Sequence, residues 1–102
     1  MPIPKHIVFA QSSVTVGSAS TLISAKNAGR KYLLIQNISD EAVYIKFGEA
    51  AVADEGIQIP AVDGDGNVRN VIELTVGNEN LTIQAVYGIC ASGSKSVLVT
   101  EG

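Results

Sequence analysis

Short stretches of this chain alternate apolar and polar residues with a period of two, and turn-forming residues interrupt them at roughly ten-residue intervals. Side chains on a strand point to opposite faces in succession, so this pattern buries one face of a sheet and leaves no helical stripe. Val14 and Val16 alternate with Ser13 and Thr15. Val43, Ile45 and Phe47 alternate with Tyr44 and Lys46, and Ile72, Leu74 and Val76 with Glu73 and Thr75. Composition agrees with the pattern. Val and Ile total 23 against 6 Leu and no Trp, and stiff β-branched side chains favour a pleated sheet. At 102 residues, 46% hydrophobic and 17% charged, the chain can enclose one core and is too apolar for disorder. The sequence therefore predicts an all-β fold, an antiparallel β-sandwich with jelly-roll-like connections and about eight or nine short strands. Residues 1–10 read as an extended N-terminal arm and first strand, and 11–102 as a single sandwich domain.

Individual segments carry sharper expectations. In 31–38, Leu33 and Ile35 fall on one face and Tyr32, Leu34 and Ile38 on the other, which predicts a central strand covered on both sides or partly in an interface. Asn27-Ala28-Gly29 suggests a short hairpin loop with glycine at the φ > 0 position. Residues 49–56 are too few for a stable helix and read as a loop. Pro60 cannot donate to a ladder, so the brief Ile57-Gln58-Ile59 strand belongs at an edge. Farther on, Leu81, Ile83, Ala85 and Tyr87 are expected on one face, opposite Thr82, Gln84 and Val86.

Seven basic against ten acidic residues give a net charge of −3, contrary to the basic excess of a nucleic-acid binder. The one basic concentration, Lys26, Arg30 and Lys31, reads as a solvated hairpin end. No apolar run approaches the length of a membrane span, and the N-terminus shows no secretory leader. Neither nucleic acid nor membrane is an expected partner. Cys90 is the only cysteine, which precludes an intrachain disulfide, and its apolar neighbours Ile89 and Ala91 predict a buried thiol.

Few residues offer catalytic chemistry. A Cys–His pair would require His6 beside Cys90, and a Ser–His–Asp triad would need the same histidine. Zinc sites use three or four N, S or O ligands, and the chain has two soft ones. In Asp63-Gly64-Asp65-Gly66-Asn67, oxygen ligands at alternate positions make Asp63, Asp65 and Asn67 candidate metal ligands for a hard cation. However, Val68 stands where a calcium loop needs its sharp-turn glycine, and Leu74 where it needs its bidentate glutamate, so a turn is the favoured reading. Ser92-Gly93-Ser94-Lys95-Ser96 lacks phosphate-loop spacing and precedes a strand. Without a leader, the sequons at Asn37 and Asn80 carry little weight. Tyr32, Tyr44 and Tyr87 could line a sugar-binding surface, but each falls within a strand, where packing is the simpler reading. No cofactor is expected and the chain reads as non-enzymatic.

The stretch Gly29-Arg30-Lys31-Tyr32-Leu33-Leu34-Ile35-Gln36-Asn37-Ile38-Ser39, followed by Val43-Tyr44-Ile45-Lys46-Phe47-Gly48, resembles small structural proteins of tailed-bacteriophage virions. So do Ile57-Gln58-Ile59-Pro60, Tyr87-Gly88-Ile89-Cys90-Ala91 and the ending Val97-Leu98-Val99-Thr100-Glu101-Gly102. The resemblance covers about 20–102 and rests on structural motifs. It implies a capsid decoration (cement) protein with a jelly-roll-like sandwich, often a homotrimer. Its partner would be the major capsid protein, on the capsid exterior of a virion assembled in the bacterial host cytoplasm. The alternatives are a receptor- or glycan-binding module of a tail or head fibre, and an accessory subunit of the neck or tail. The family pattern supplies no ligand residues. Candidate contact residues are Pro2, Ile3, Pro4 and Lys5, in an arm whose two prolines restrict its free conformations, together with Arg30 and Lys31.

Overall fold

In the computed structural model of the chain, residues 9–62, 70–75 and 81–102 are described. They form eight strands: β1 (Ala10–Val16), β2 (Thr21–Ser24), β3 (Tyr32–Asn37), β4 (Val43–Phe47), β5 (Ile57–Ile59), β6 (Val71–Thr75), β7 (Val86–Ile89) and β8 (Lys95–Glu101). All pairings are antiparallel, in two four-stranded sheets. Sheet A has the order β1-β8-β3-β6 and sheet B the order β2-β7-β4-β5. Successive strands change sheet at every connection except β4–β5. With β1 beside β8 and β2 beside β7, this is the interleaved double-sheet connectivity of a jelly roll.

The period-two pattern decides which faces meet. Leu33 and Ile35 of β3, Val97 and Val99 of β8 and Leu74 of β6 point from sheet A into the core. Val43 and Ile45 of β4, Ile59 of β5 and Val86 of β7 oppose them from sheet B. Turning β3 over would expose Leu33 and Ile35 at about 2 kcal/mol each, a loss that burying Leu34 offsets only in part, and would bury the Gln36 amide, which sets the orientation. β3 is central, as predicted, but only its core face is covered. Tyr32, Leu34 and Gln36 are half-buried on the outer face, and Ile38 is exposed. Among the described residues, the two packed sheets cover one side of each other and nothing covers the outer face of β3.

Other expectations hold in part. β5 is an edge strand that ends before Pro60, and 49–56 form a loop without a helix. Asn27-Ala28-Gly29 is no hairpin, because β2 and β3 lie in opposite sheets. The turn is built by side chains instead: the Asn27 carboxamide oxygen accepts from Gly29 N at 3.0 Å, and Gly29 needs no positive φ. The 81–87 segment differs most. Residues 81–85 form no strand, and Val86 and Gly88 face the core while Tyr87 faces out, the reverse of the expected parity. The reason lies in where its carbonyls go. Arg30 donates to those of Thr82 and Gln84, Asn27 N to that of Ile83, and Gly48 N to that of Ala85. With those acceptors used elsewhere, the ladder starts only at Val86. Gly88 also has a steric role, since a Cβ there would lie 2.4 Å from Ile23 Cδ1 of the neighbouring strand β2.

Candidate functional site

The outer face of sheet A is the most distinctive surface. Register places Gln11 and Ser13 of β1, Leu98 and Thr100 of β8, and Leu34 and Gln36 of β3 side by side there. Gln11, Leu34, Gln36, Leu98 and Thr100 line an open depression of about 470 Å³. Leu98 is 40% exposed and Leu34 is half-buried, so two leucines sit uncovered within a rim of amides and hydroxyls. Gln11 Nε2 donates to Thr100 Oγ1 at 3.4 Å across the β1–β8 pair. Farther along the face, the Tyr32 hydroxyl donates to Glu73 at 2.6 Å, and Phe9 meets the Tyr32 ring edge-on with centroids 5.4 Å apart. That bond to the Glu73 carboxylate holds the Tyr32 hydroxyl above its ordinary pKa. Among the described residues no charged side chain lines the depression, which suits it to binding an uncharged surface through apolar contact and hydrogen bonds.

Of the residues singled out from sequence, Pro2, Ile3, Pro4 and Lys5 lie outside the described residues, as do His6 and Asp63, Asp65 and Asn67 of the cation-loop reading. Arg30 departs from the solvated hairpin end expected of it. Its side chain is fully buried and reaches no outer surface, whereas Lys26 and Lys31 are exposed. All its donors are used: Nε to Glu101, one terminal nitrogen to the carbonyls of Thr82 (2.7 Å) and Gln84 (2.9 Å), and the other to Ser24 Oγ (3.0 Å) and the Ala25 carbonyl (2.9 Å). Ser24 also donates to Glu101 at 3.0 Å. The planar five-donor fork of arginine thus joins three separate chain segments, a role lysine cannot copy. Lys31 N donates to the Gly102 carbonyl at 2.7 Å and so helps to anchor the last strand.

A second buried polar centre is Asn37, which ends β3. Its amide nitrogen donates to the carbonyls of Glu41, Ile59 and Pro60, and its carboxamide oxygen accepts from Ser39 N and Oγ. The sequon asparagine is therefore a structural clasp with no accessible side chain. Cys90 is buried as predicted, its thiol donating to the Val16 carbonyl at 3.3 Å. Among the described residues, no group of three or more His, Cys, Asp and Glu side chains is placed to hold a metal ion.

At one end of the sandwich, the β3–β4 and β7–β8 turns clasp each other. Ser92 N and Oγ donate to the Glu41 carboxylate at 2.6 and 2.7 Å, and Lys95 pairs with Asp40 at 2.7 Å. Hydrogen bonds from Ser92 lower the Glu41 pKa, and the bond to Lys95 lowers that of Asp40 and raises that of the lysine. On the outer face of sheet B, Tyr44 opposes Ile89 and Lys46 opposes Tyr87, which puts the two tyrosines diagonally adjacent. The sequence signalled neither the Arg30 centre nor the turn clasp, since apart from Ser24 and Ala25 their partners lie 51 to 71 residues apart. No family model matches the chain, and no curated protein or solved structure matches it.

Proposed function

We propose that this chain is a non-enzymatic structural protein of a tailed-bacteriophage virion, a decoration protein that binds the major capsid protein on the outside of the assembled shell. The observation carrying this reading is the uncharged depression on the outer face of sheet A, where Leu34 and Leu98 lie open among Gln11, Gln36 and Thr100. The similarity of 29–48 and 87–102 to such proteins supplies the kind of neighbour. A jelly roll alone would not, because the same fold serves capsid proteins, lectins and cupins. Binding that spans adjacent capsid subunits stabilises the assembled shell by mass action and gains avidity from each added contact. The arm with Pro2 and Pro4 adds a second attachment, whose ordering cost the prolines reduce.

The test mixes purified protein with expanded, undecorated capsids. Saturable binding with a raised shell melting temperature is the expected result. Leu98→Asp, at an exposed position, should weaken binding at least about tenfold while leaving the fold intact. Deleting residues 1–5 should also lower capsid affinity, and unchanged affinity would remove the arm from the mechanism. Absence of binding to heads, together with retention on host cells or glycans, would overturn the decoration reading. It would favour a receptor- or glycan-binding module, for which the adjacent Tyr44 and Tyr87 offer a stacking surface.

A further inference from the structure

A sheet edge is a row of unused backbone donors and acceptors, and soluble folds blunt it with short strands, charges, proline or bulges. The four edges of this sandwich differ in that respect. β5 has three residues and runs into Pro60. β2 has four, and its register against β7 shifts between Leu22 and Ser24. β6 carries Glu73. β1 has none of these devices: seven residues, Ala10-Gln11-Ser12-Ser13-Val14-Thr15-Val16, pair with β8 in unbroken register and contain neither charge nor proline. Among the described residues, no strand pairs with its other side. The chain from 7 to 25, which spans both β1 and β2, has no Asp, Glu, Lys, Arg or His. Both edge strands on that side of the sandwich, β1 and β2, therefore lack the charges that keep sheet edges apart.

β1 is also its own antiparallel complement. When two copies are aligned on Ser13, Gln11 faces Thr15, Ser12 faces Val14, and Ala10 faces Val16. Every pair then joins residues on the same side of the sheet, so the core-facing set stays core-facing. Phe9, 48% exposed just before the strand, falls opposite Gly17, which has no side chain to obstruct it.

We propose that two copies of this chain associate edge to edge through β1, antiparallel and in register about Ser13, so that the two A sheets become one continuous sheet. The two-fold axis runs perpendicular to that sheet, which makes the contact isologous and closed, and brings the two β2 edges to the same seam. This contact is independent of the capsid reading and differs from the three-fold association that the phage resemblance implies.

The test is cysteine cross-linking with sedimentation. Buried Cys90 does not take part in the folded protein. In the proposed register, two Ser13→Cys residues face each other within disulfide reach, whereas two Thr15→Cys residues lie about 13 Å apart, beyond it. Under mild oxidation S13C should form a disulfide dimer and T15C should not. The unmodified chain should sediment as a dimer, and Ser13→Lys, which sets two ammonium groups at the axis, as a folded monomer. The proposal is overturned if the unmodified chain is a monomer, if T15C cross-links as readily as S13C, or if the chain is a trimer in which S13C does not cross-link. Should S13K fail to fold, the contrast between S13C and T15C decides the matter alone.

Discussion

Arg30 shows how one residue's meaning depends on its partners. Its guanidinium is wholly buried, and Glu101, which it pairs with, is 23% exposed at the side chain. Removing one member of such a pair leaves the other groups without partners, a loss larger than the net worth of the pair itself. Arg30→Ala should therefore destabilise the fold by about 3–5 kcal/mol, measured as a lower urea midpoint. Arg30→Lys should recover only a minor part, because three rotating donors cannot reach carbonyls on both sides of the cluster. Nothing near position 30 in the sequence announces this role. Its nearest charged neighbours in the chain are Lys26 and Lys31, and its acid lies 71 residues away.

At the scale of elements, turns do more than reverse the chain. Gly56, at φ +81°, closes the β4–β5 connection, and a Cβ there would stand 2.2 Å from the Ile45 carbonyl oxygen. Gly56→Ala should cost about 1–3 kcal/mol through strain and lost β4–β5 pairing, read from thermal unfolding. The clasp between the β3–β4 and β7–β8 turns sets a pH window. Asp40 and Glu41 have folded pKa values below their ordinary 3.8 and 4.5, so their contribution is complete above those values and is lost as pH falls through the lower folded ones. Lys95 lies above its ordinary 10.5, so its contribution is complete below that value and is lost as pH rises through the folded one. Asp40 is exposed and Glu41 and Lys95 are half-buried at the surface, so solvent screening keeps the effect small. Glu41→Gln should lower the melting temperature near neutral pH, and the difference from the unmodified protein should shrink as pH falls well below 4.5. A difference that persists in acid would assign the effect to packing.

For the whole molecule, the separation of charged and uncharged surface governs behaviour. A net charge of −3 keeps copies apart at long range, while the uncharged β1 and β2 edges and the depression on sheet A do not repel neighbours. Association through β1 should therefore depend little on salt, its Kd changing by less than about twofold between roughly 0.05 and 0.5 M NaCl in sedimentation equilibrium. A steep salt dependence would point to a contact through the charged turns instead. The jelly-roll order also places β1 against β8, Ala10 opposite Glu101, so the sandwich closes only when both strands are in place.

The sequence by itself determined the all-β class, the approximate strand number, the inward set of β4 and β6, the edge position of β5 and the burial of Cys90. These follow from local periodicity, side-chain shape and proline chemistry, which act over a few residues. Only the tertiary structure decided the parity of 81–88, the true function of 27–29 as a link between sheets, the burial of Arg30, and which edge strand is left unguarded. Each depends on contacts between residues tens of positions apart, for which the alternation of a single strand carries no signal. That alternation says which side of a strand is apolar. It does not say which strands lie at the edges, or which carbonyls a distant side chain will claim.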